Sequence, residues 1–273
     1  MPFVTVRDLQ MYYEIHGKGP RLLTISGTGG DLRRSPNIFE MPIAQHFEIL
    51  AYDQRGLGQT SRPDTSYTMA DYAADASALL DAVAWNRCLV TGISFGGMVA
   101  QELALRYPQR VERLVLGCTS SGGKGGASYP MHDLADLPLE DYVHRILELS
   151  DTRRNSAWKA ADPARYQALF DLTLAALRVG ADEPGRSIGA RRQLEARAHH
   201  NTYDRLPALR MPVYLCGGRY DGIATPANLE AIQKQIPGAR LELFEGGHLF
   251  FIQDPRAFDR IASFLRGELN DSS

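Results

Sequence analysis

The sequence is poor in cysteine, with only Cys88, Cys118 and Cys216 among its 273 residues. All three fall in runs that are typical of buried strands. An odd number of cysteines in strand interiors argues against a disulfide framework and favours free thiols in a reducing compartment. We therefore expect a cytoplasmic protein.

Long apolar runs and an excess of charge of one sign are also missing. No run is long enough to span a bilayer, and residues 1–7 contain neither a basic segment nor a long apolar one, so we expect no membrane span and no secretory signal. The formal net charge of −2 gives no reason to expect nucleic acid or an anionic membrane as a partner. A chain of this length, with 44% apolar residues, can bury the core of one α/β domain with an insertion.

What the chain does contain is a serine between two glycines at a predicted strand-to-helix turn. Gly92 lies two residues before Ser94 and Gly96 two residues after it. A buried strand is predicted just before this segment and a helix just after it. Such a turn strains the serine backbone, leaves no room for side chains at the glycine positions and exposes the hydroxyl beside a helix N-terminus. The same string also occurs in ordinary glycine-rich turns, so the residues elsewhere in the chain decide its meaning.

A serine needs a base and an orienting acid to act as a nucleophile at neutral pH. His248 follows two glycines on a loop after a late predicted strand, and Asp221 follows another predicted strand. Both would reach the edge of the sheet at which Ser94 is exposed. The alternatives are a surface loop histidine and an aspartate that caps a turn, although Thr225 before Pro226 is the better helix cap.

A serine nucleophile that attacks a carbonyl group, as in ester hydrolysis, also requires hydrogen-bond donors for the oxyanion that forms on the carbonyl oxygen. One candidate is the backbone N–H of Phe95, directly after the serine. The other is the N–H of Thr28, in a glycine-rich loop that follows an early predicted strand. The sequence therefore predicts an oxyanion hole formed by Thr28 and Phe95.

In their order along the chain, these segments resemble the α/β-hydrolase superfamily, close in layout to carboxylesterases, enol-lactonases and C–C-bond hydrolases. The resemblance extends over residues 3–265. It rests on the turn around Ser94 and on the segments that end at Asp221 and His248. It implies that these three residues form a catalytic triad.

A further segment, residues 52–60, resembles the D-x-R-G-x-G-x-S loop of the same family. We expect Asp53 and Arg55 to organise this loop as a charge-assisted pair. One departure is visible at the predicted oxyanion loop, where Ser26-Gly27 stands in place of the His-Gly of many relatives. The residue after the glycine keeps its expected place, so we expect the oxyanion hole to be retained.

Two glycine-rich segments fail as nucleotide-binding motifs. Leu32 stands where a dinucleotide motif starting at Gly27 needs its third glycine. A phosphate-loop reading of residues 122–126 requires glycine at Cys118 and serine or threonine at Gly125. No spacing of cysteine and histidine suits a structural zinc site, and we expect neither a cofactor nor a metal.

Strands alternate with helices over most of the chain, and this alternation predicts a doubly wound, mostly parallel sheet of eight strands with the α/β-hydrolase fold. Thr68 and Asp71 have the spacing of a capping box at the start of one helix. The predicted strands lie near residues 3–7, 10–15, 21–26, 47–52, 88–93, 111–117, 212–217 and 239–244.

The alternation stops in the middle of the chain, where only helices are predicted. In the family that the chain resembles, such an insertion forms a cap over the carboxyl ends of the strands. We therefore expect a core domain of residues 1–121 and 207–273 and a helical cap of residues 122–206. The glycine-rich run at the start of the cap would act as a hinge or as an ordinary loop. The predicted cap helices cover residues 139–149, 163–179 and 186–203.

The cap would contact the substrate, and it contains twelve Lys and Arg and twelve Asp and Glu residues. This balance gives no indication of a charged substrate. His200, near the end of the cap, is expected as a partly exposed helix residue. Large apolar side chains are candidates for the pocket wall, with burial in the core as the alternative for each. These candidates are Phe39, Tyr129, Met131, Trp158 and Phe250.

Together these features predict a serine hydrolase that cleaves small or medium, mostly neutral carboxylic esters or lactones. The catalytic residues would be Ser94, Asp221 and His248. The alternatives are C–C-bond hydrolysis, perhydrolysis or acyl transfer with the same triad, and a small-molecule receptor on the same scaffold. A small-molecule substrate is the expected partner, and the sequence leaves a homodimer open.

Overall fold

One sheet of eight strands runs through residues 3–269, the part of the chain that the computed structural model describes. The strands are β1 (Phe3–Val6), β2 (Leu9–Gly17), β3 (Arg21–Ile25), β4 (Glu48–Tyr52), β5 (Cys88–Ile93), β6 (Val111–Gly117), β7 (Val213–Gly218) and β8 (Arg240–Phe244). Their order in the sheet is β1-β2-β4-β3-β5-β6-β7-β8. β2 pairs antiparallel with β1 and with β4, and the other pairs are parallel. The predicted fold class is confirmed.

Helices cover both faces of this sheet because its inner strands are apolar on both sides. Leu114 and Leu116 of β6 face one apolar cluster, whereas Val115 between them faces the other. α1, α2 and α7 pack on the first face, and α8 and α9 pack on the second. The helices of the described residues are α1 (Met69–Ala82), α2 (Phe95–Arg106), α3 (Leu139–Ser150), α4 (Ser156–Ala161), α5 (Pro163–Arg178), α6 (Arg186–Ala198), α7 (Pro226–Gln235), α8 (Phe250–Gln253) and α9 (Arg256–Arg266).

The cap segment between β6 and β7 contains α3 to α6 and short 3₁₀ turns. Its two connections to the sheet lie side by side, because Gly122 and Asn201 form an isolated β-bridge and the Thr202 N–H donates to the Ser121 carbonyl at 2.8 Å. The helix predicted over residues 186–203 ends earlier, at Ala198, and is followed by this bridge and a 3₁₀ turn. Within residues 3–269, no helix combines the length and the apolar composition that crossing a membrane requires.

Candidate active site

Ser94 lies between β5 and α2 with a backbone conformation that L-residues rarely adopt, at φ 57° and ψ −119°. A side chain at Gly92 would collide with the carbonyl of Gly96, and one at Gly96 would collide with the carbonyl of Ile25. The two glycines therefore let β5, α2 and β3 approach closely enough to hold the strained serine. The Ser94 side-chain hydroxyl makes no hydrogen bond within residues 3–269.

Asp221 and His248 meet at the carboxyl ends of β7 and β8, and the His248 Nδ1 lies 2.7 Å from the Asp221 Oδ2. The other carboxylate oxygen accepts the N–H groups of Ile223 and Ala224 at 2.8 and 3.0 Å. Asp221 therefore stabilises its own turn and orients the imidazole at the same time. Because Nδ1 faces a carboxylate, it carries the proton, and Nε2 is the basic nitrogen of neutral His248.

Burial on its own would lower the pKa of His248, but the nearby Cys118 and the Asp221 carboxylate outweigh it and raise this pKa. Burial also raises the pKa of the Cys118 thiol, so Cys118 is uncharged at neutral pH. The lasting electrostatic partner of His248 is therefore Asp221.

The loop after β3 lies against the serine, since a Cβ atom at Gly27 would be 3.4 Å from the Cβ atom of Ser94. The backbone N–H groups of Thr28 and Phe95 donate to no acceptor within residues 3–269. Two unpartnered N–H groups beside a strained serine are suited to bind a developing oxyanion. Phe95 itself is buried, and its ring packs edge-on against Tyr72.

Two glutamine side chains that the sequence analysis did not single out hold this loop in place. The Gln54 amide donates to the Ser26 carbonyl at 2.8 Å from the side of the core. The Gln193 carbonyl oxygen, on α6 of the cap, accepts the Gly29 N–H at 2.9 Å. The loop is therefore fixed by the core and by the cap together.

The cap also holds the histidine loop. The backbone N–H of His248 donates to the Ser150 carbonyl at the end of α3, at 2.6 Å. The Gln253 side chain accepts the Gly247 N–H at 2.7 Å and donates to the Asp151 carboxylate at 3.1 Å. Consequently, the position of His248 depends on how α3 docks on the sheet.

Ser94 and His248 line one cavity of about 410 Å³ between the sheet and the cap. Thr28 lines it as well, and most of its wall is apolar. A neighbouring cavity of about 910 Å³ shares Thr28, Met131 and Tyr142 with it but includes neither Ser94 nor His248. The smaller cavity has the size of a pocket for a small or medium ligand.

Only one of the five pocket candidates from the sequence, Met131, lines this cavity. Phe250 is fully buried against Phe244, because the turn after His248 points it into the sheet, and Phe251 and Ile252 reach the cavity instead. The other three candidates pack elsewhere: Phe39 contacts the ring of His16 in a tilted arrangement, Trp158 joins the apolar cluster of α3 and α5, and Tyr129 joins a small cluster under the cap.

The sequence analysis missed most of the polar side chains of the cavity wall. They include Tyr142 on α3, Arg154 after α3 and Arg197 on α6. The sequence pattern could not distinguish them from solvent-exposed residues, because they point inward only when the cap is folded onto the sheet. Arg191 and Arg192, in contrast, pair with Glu195 on the surface of α6.

The expected pair between Asp53 and Arg55 is wrong. Arg55 binds the carboxylates of Asp8 and Asp75, and Asp53 accepts the N–H groups of Leu32 and Gln59 at 2.8 Å each. Burial raises the pKa of Asp53 to about 6, against the lowering effect of these two N–H donors. Asp53 and Arg55 lie two positions apart in this loop and contact different parts of the protein, which the motif alone did not reveal.

One group of side chains within residues 3–269 could hold a metal ion, namely Cys118, Asp221 and His248, whose ligand atoms lie within 4.8 Å of one another. Two of the three already pair with each other through a short hydrogen bond. A metal there would take the basic imidazole away from the serine. The donor set therefore fits the orientation of a base better than the binding of a structural metal.

Comparisons with known proteins agree with this architecture. A model of the alpha/beta hydrolase fold family matches residues 20–255. An uncharacterised protein of Mycobacterium tuberculosis is 31% identical over 97% of this chain and 81% of its own length. The 3-oxoadipate enol-lactonase 2 of Acinetobacter baylyi is 24% identical over 98% of this chain and 97% of its own length. The crystal structure of the enol-lactonase from Burkholderia xenovorans has a TM-score of 0.78 at 22% identity, covering 98% of this chain and 100% of that one, and this shows a shared fold.

Proposed function

The chain belongs to the alpha/beta hydrolase fold family, and from that membership we propose that it is a serine hydrolase that cleaves small or medium carboxylic esters or lactones. The observation that carries the proposal is the hydrogen-bonded pair of Asp221 and His248 beside the strained Ser94 in one cavity. A relative named as an enol-lactonase makes lactones a reasonable substrate class to include.

In the proposed first step, the Ser94 oxygen attacks the substrate carbonyl while His248 Nε2 takes the hydroxyl proton. Asp221 holds the imidazole in the required tautomer and stabilises its positive charge. The negative charge moves to the carbonyl oxygen, where the N–H groups of Thr28 and Phe95 donate to it. Each such donor contributes on the order of 10²-fold to the rate.

The tetrahedral intermediate then collapses and the bond to the leaving oxygen breaks. His248 returns its proton to that oxygen, which departs as an alcohol or, in a lactone, remains attached to the acyl group. A water molecule next loses a proton to His248 and attacks the acyl-serine. Release of the acid restores Ser94 and the neutral imidazole.

Hydrolysis of a p-nitrophenyl ester series, from acetate to octanoate, tests this proposal. We expect turnover by the wild type and a loss of roughly 10⁴-fold or more in Ser94→Ala, because the nucleophile is removed. The preferred acyl length would measure the depth of the cavity. Ser263→Ala, on the outer helix α9, is the matched control and should retain full activity.

Retained activity in a folded Ser94→Ala variant would overturn the assignment of the nucleophile. A folded wild type that turns over no ester and no lactone would overturn the proposed reaction. C–C-bond substrates would then be the next ones to assay.

We also propose a cytoplasmic location. Cys88, Cys118 and Cys216 are buried and carry free thiols. Unpaired thiols are typical of proteins in a reducing compartment.

A further inference from the structure

The cap contains equal numbers of acidic and basic residues, but the cavity wall does not have the same balance. Most charged side chains of the cap form ion pairs outside the cavity. Within residues 3–269, two arginines are buried, Arg55 with 4% of its surface exposed and Arg197 with 7%. Arg55 forms ion pairs with Asp8 and Asp75. Arg197 has no carboxylate within ion-pair distance in the same part of the chain, although it lines the cavity with Ser94.

The contacts that Arg197 does make are with uncharged groups. It donates to the Tyr129 carbonyl at 2.8 Å and to the Ser128 hydroxyl at 2.7 Å, and its Nε–H is buried without an acceptor. A guanidinium group has five N–H donors, so these two bonds leave it under-used. A buried cation without an anion is costly, and the cost falls when a ligand supplies the opposite charge.

Further arginines line the cavity that contains Arg197 and the adjoining one, although the adjoining cavity is also lined by Asp136 and Glu195. Arg154 lines the same cavity and donates only to the Ser150 hydroxyl, at 3.1 Å. Arg34 lines the adjoining cavity, and its guanidinium makes no hydrogen bond or ion pair within residues 3–269. The lining of the catalytic cavity includes no aspartate and no glutamate among the described residues.

Tyr142 completes the arrangement. It lines both cavities, and its hydroxyl has no hydrogen-bond partner within residues 3–269. Burial raises the pKa of this hydroxyl, against the opposing effect of Arg34 and Arg197, which are its charged neighbours. The hydroxyl therefore remains a hydrogen-bond donor next to two cations.

We propose that the substrate carries a carboxylate in addition to the carbonyl that is cleaved, and that Arg197 and Tyr142 bind this carboxylate. This inference deepens the proposed function and rests on it for the reaction, although the anion site can be tested by binding alone. It replaces the expectation of a mostly neutral substrate. Arg154 and Arg34 would add to the positive potential that attracts the anion.

If Arg197 only supported the positions of residues 128 and 129, a different result would be expected. Its substitution would then affect the turnover of acidic and neutral substrates alike, whereas substitution of an anion-binding arginine affects only the acidic ones. The decisive quantity is therefore the ratio of kcat/KM for an acidic ester to that for its neutral analogue. Partial unfolding of a variant cancels in this ratio, because both esters are measured on one enzyme preparation.

Two ester pairs place the carboxylate on either side of the scissile bond. The first is mono-p-nitrophenyl adipate and the ester in which a methyl ketone replaces its distal carboxylate. The second is p-acetoxybenzoate and p-acetoxyacetophenone, in which the leaving phenol carries the carboxylate or the methyl ketone. In at least one pair, we expect the wild type to prefer the acidic ester.

We expect Arg197→Met to reduce this preference roughly 10- to 100-fold, mainly through KM, because a hydrogen bond to a charged group is lost. Arg197→Lys should keep part of the preference. Ser128→Ala removes the hydroxyl group that Arg197 contacts but keeps the cation, so it should keep the ratio. Arg192→Gln, on the same helix but paired with Asp64 and Glu195, is the matched control for the loss of a cation and should also keep it.

Equal treatment of acidic and neutral esters by the wild type, or an unchanged ratio in Arg197→Met, would overturn the anion site while leaving the hydrolase standing. If no ester and no lactone is turned over, the proposed function fails, and calorimetric titration of Ser94→Ala with the adipate pair decides on the anion site. Tighter binding of the acidic member that is lost in Ser94→Ala/Arg197→Met supports it, and equal binding of the two members overturns it.

Discussion

Asp221 divides its carboxylate between the backbone of its own turn and the imidazole of His248. This double use explains why a single aspartate can be both a turn residue and the partner of a base. The sequence could predict Ser94, Asp221 and His248 because glycines and strand ends mark all three positions locally. It could not predict the environment of Arg197, because the absence of a carboxylate near this arginine depends on the folded cap.

The pH dependence of activity should report the pair of Asp221 and His248. The base must be neutral, and the pKa of His248 is raised, so activity should be lost as pH falls through a value above the 6.5 of an ordinary histidine. In Asp221→Asn, we expect this acid limb to move to lower pH and kcat to fall by about 10⁴-fold. The measurement is a pH profile of kcat/KM for the best p-nitrophenyl ester.

Asp133→Asn is the matched control, because Asp133 is an exposed acid next to the exposed His132. It should change neither the limb nor kcat. An acid limb that stays in place in Asp221→Asn would show that another group controls it.

At the scale of elements, the cap forms hydrogen bonds with the loops that carry Asp221 and His248. The end of α3 accepts N–H groups of Gly222 and His248, and Thr152 donates to Tyr220 at 2.9 Å. α6 lies so close to the core that a side chain at Gly189 would collide with the carbonyl of Gly56. These contacts make the cap part of the site rather than a separate cover.

Most core elements could be predicted because strands with apolar runs and helices with capping signals carry their pattern locally, as Thr68 and Asp71 do for α1. Two short helices were missed. α4 has six residues and α8 has four, which is too short for a helical period to be visible. The tertiary context, such as the docking of Phe250 into the core, decides their conformation.

The contact of α6 with the oxyanion loop leads to a prediction for Gln193. In Gln193→Met, the Gly29 N–H loses its acceptor, and the loop that presents the Thr28 N–H should become less fixed. This hydrogen bond is partly buried, and losing its acceptor costs about 1–2 kcal/mol, so we expect kcat to fall by roughly 5- to 30-fold, with a smaller change in KM. Steady-state kinetics with the best p-nitrophenyl ester measures both constants.

Gln167→Met, on the exposed side of the neighbouring α5, removes a glutamine that bonds only to Asp171. This control should leave kcat unchanged. If Gln193→Met also keeps its kcat, the cap contributes nothing to the oxyanion loop, and the loop is held by Gln54 alone.

At the scale of the whole molecule, buried titratable groups with opposite effects shape the stability below neutral pH. His200 was expected to be partly exposed, but it is 6% exposed, and neither ring nitrogen has a hydrogen-bond partner within residues 3–269. Burial lowers its pKa to about 4. Asp53, with a pKa raised to about 6, acts in the opposite direction, because its protonation on acidification relieves a buried charge.

The stability lost through His200 can be isolated by substitution. Below the unfolded pKa of 6.5, the unfolded chain binds a proton that the folded protein does not take up until about pH 4, so the free energy of unfolding falls as pH decreases through this window. Between pH 7 and pH 5 this loss amounts to roughly 2 kcal/mol. His200→Leu removes this loss, so between pH 7 and pH 5 its free energy of unfolding should fall by roughly 2 kcal/mol less than that of the wild type.

Urea unfolding at both pH values measures this difference. His132→Gln, which alters an exposed histidine, should behave as the wild type does. Because the contributions of Asp53 and of the other unchanged groups cancel in the comparison, identical pH dependence in His200→Leu and wild type would mean that His200 is protonated equally in the folded and unfolded states.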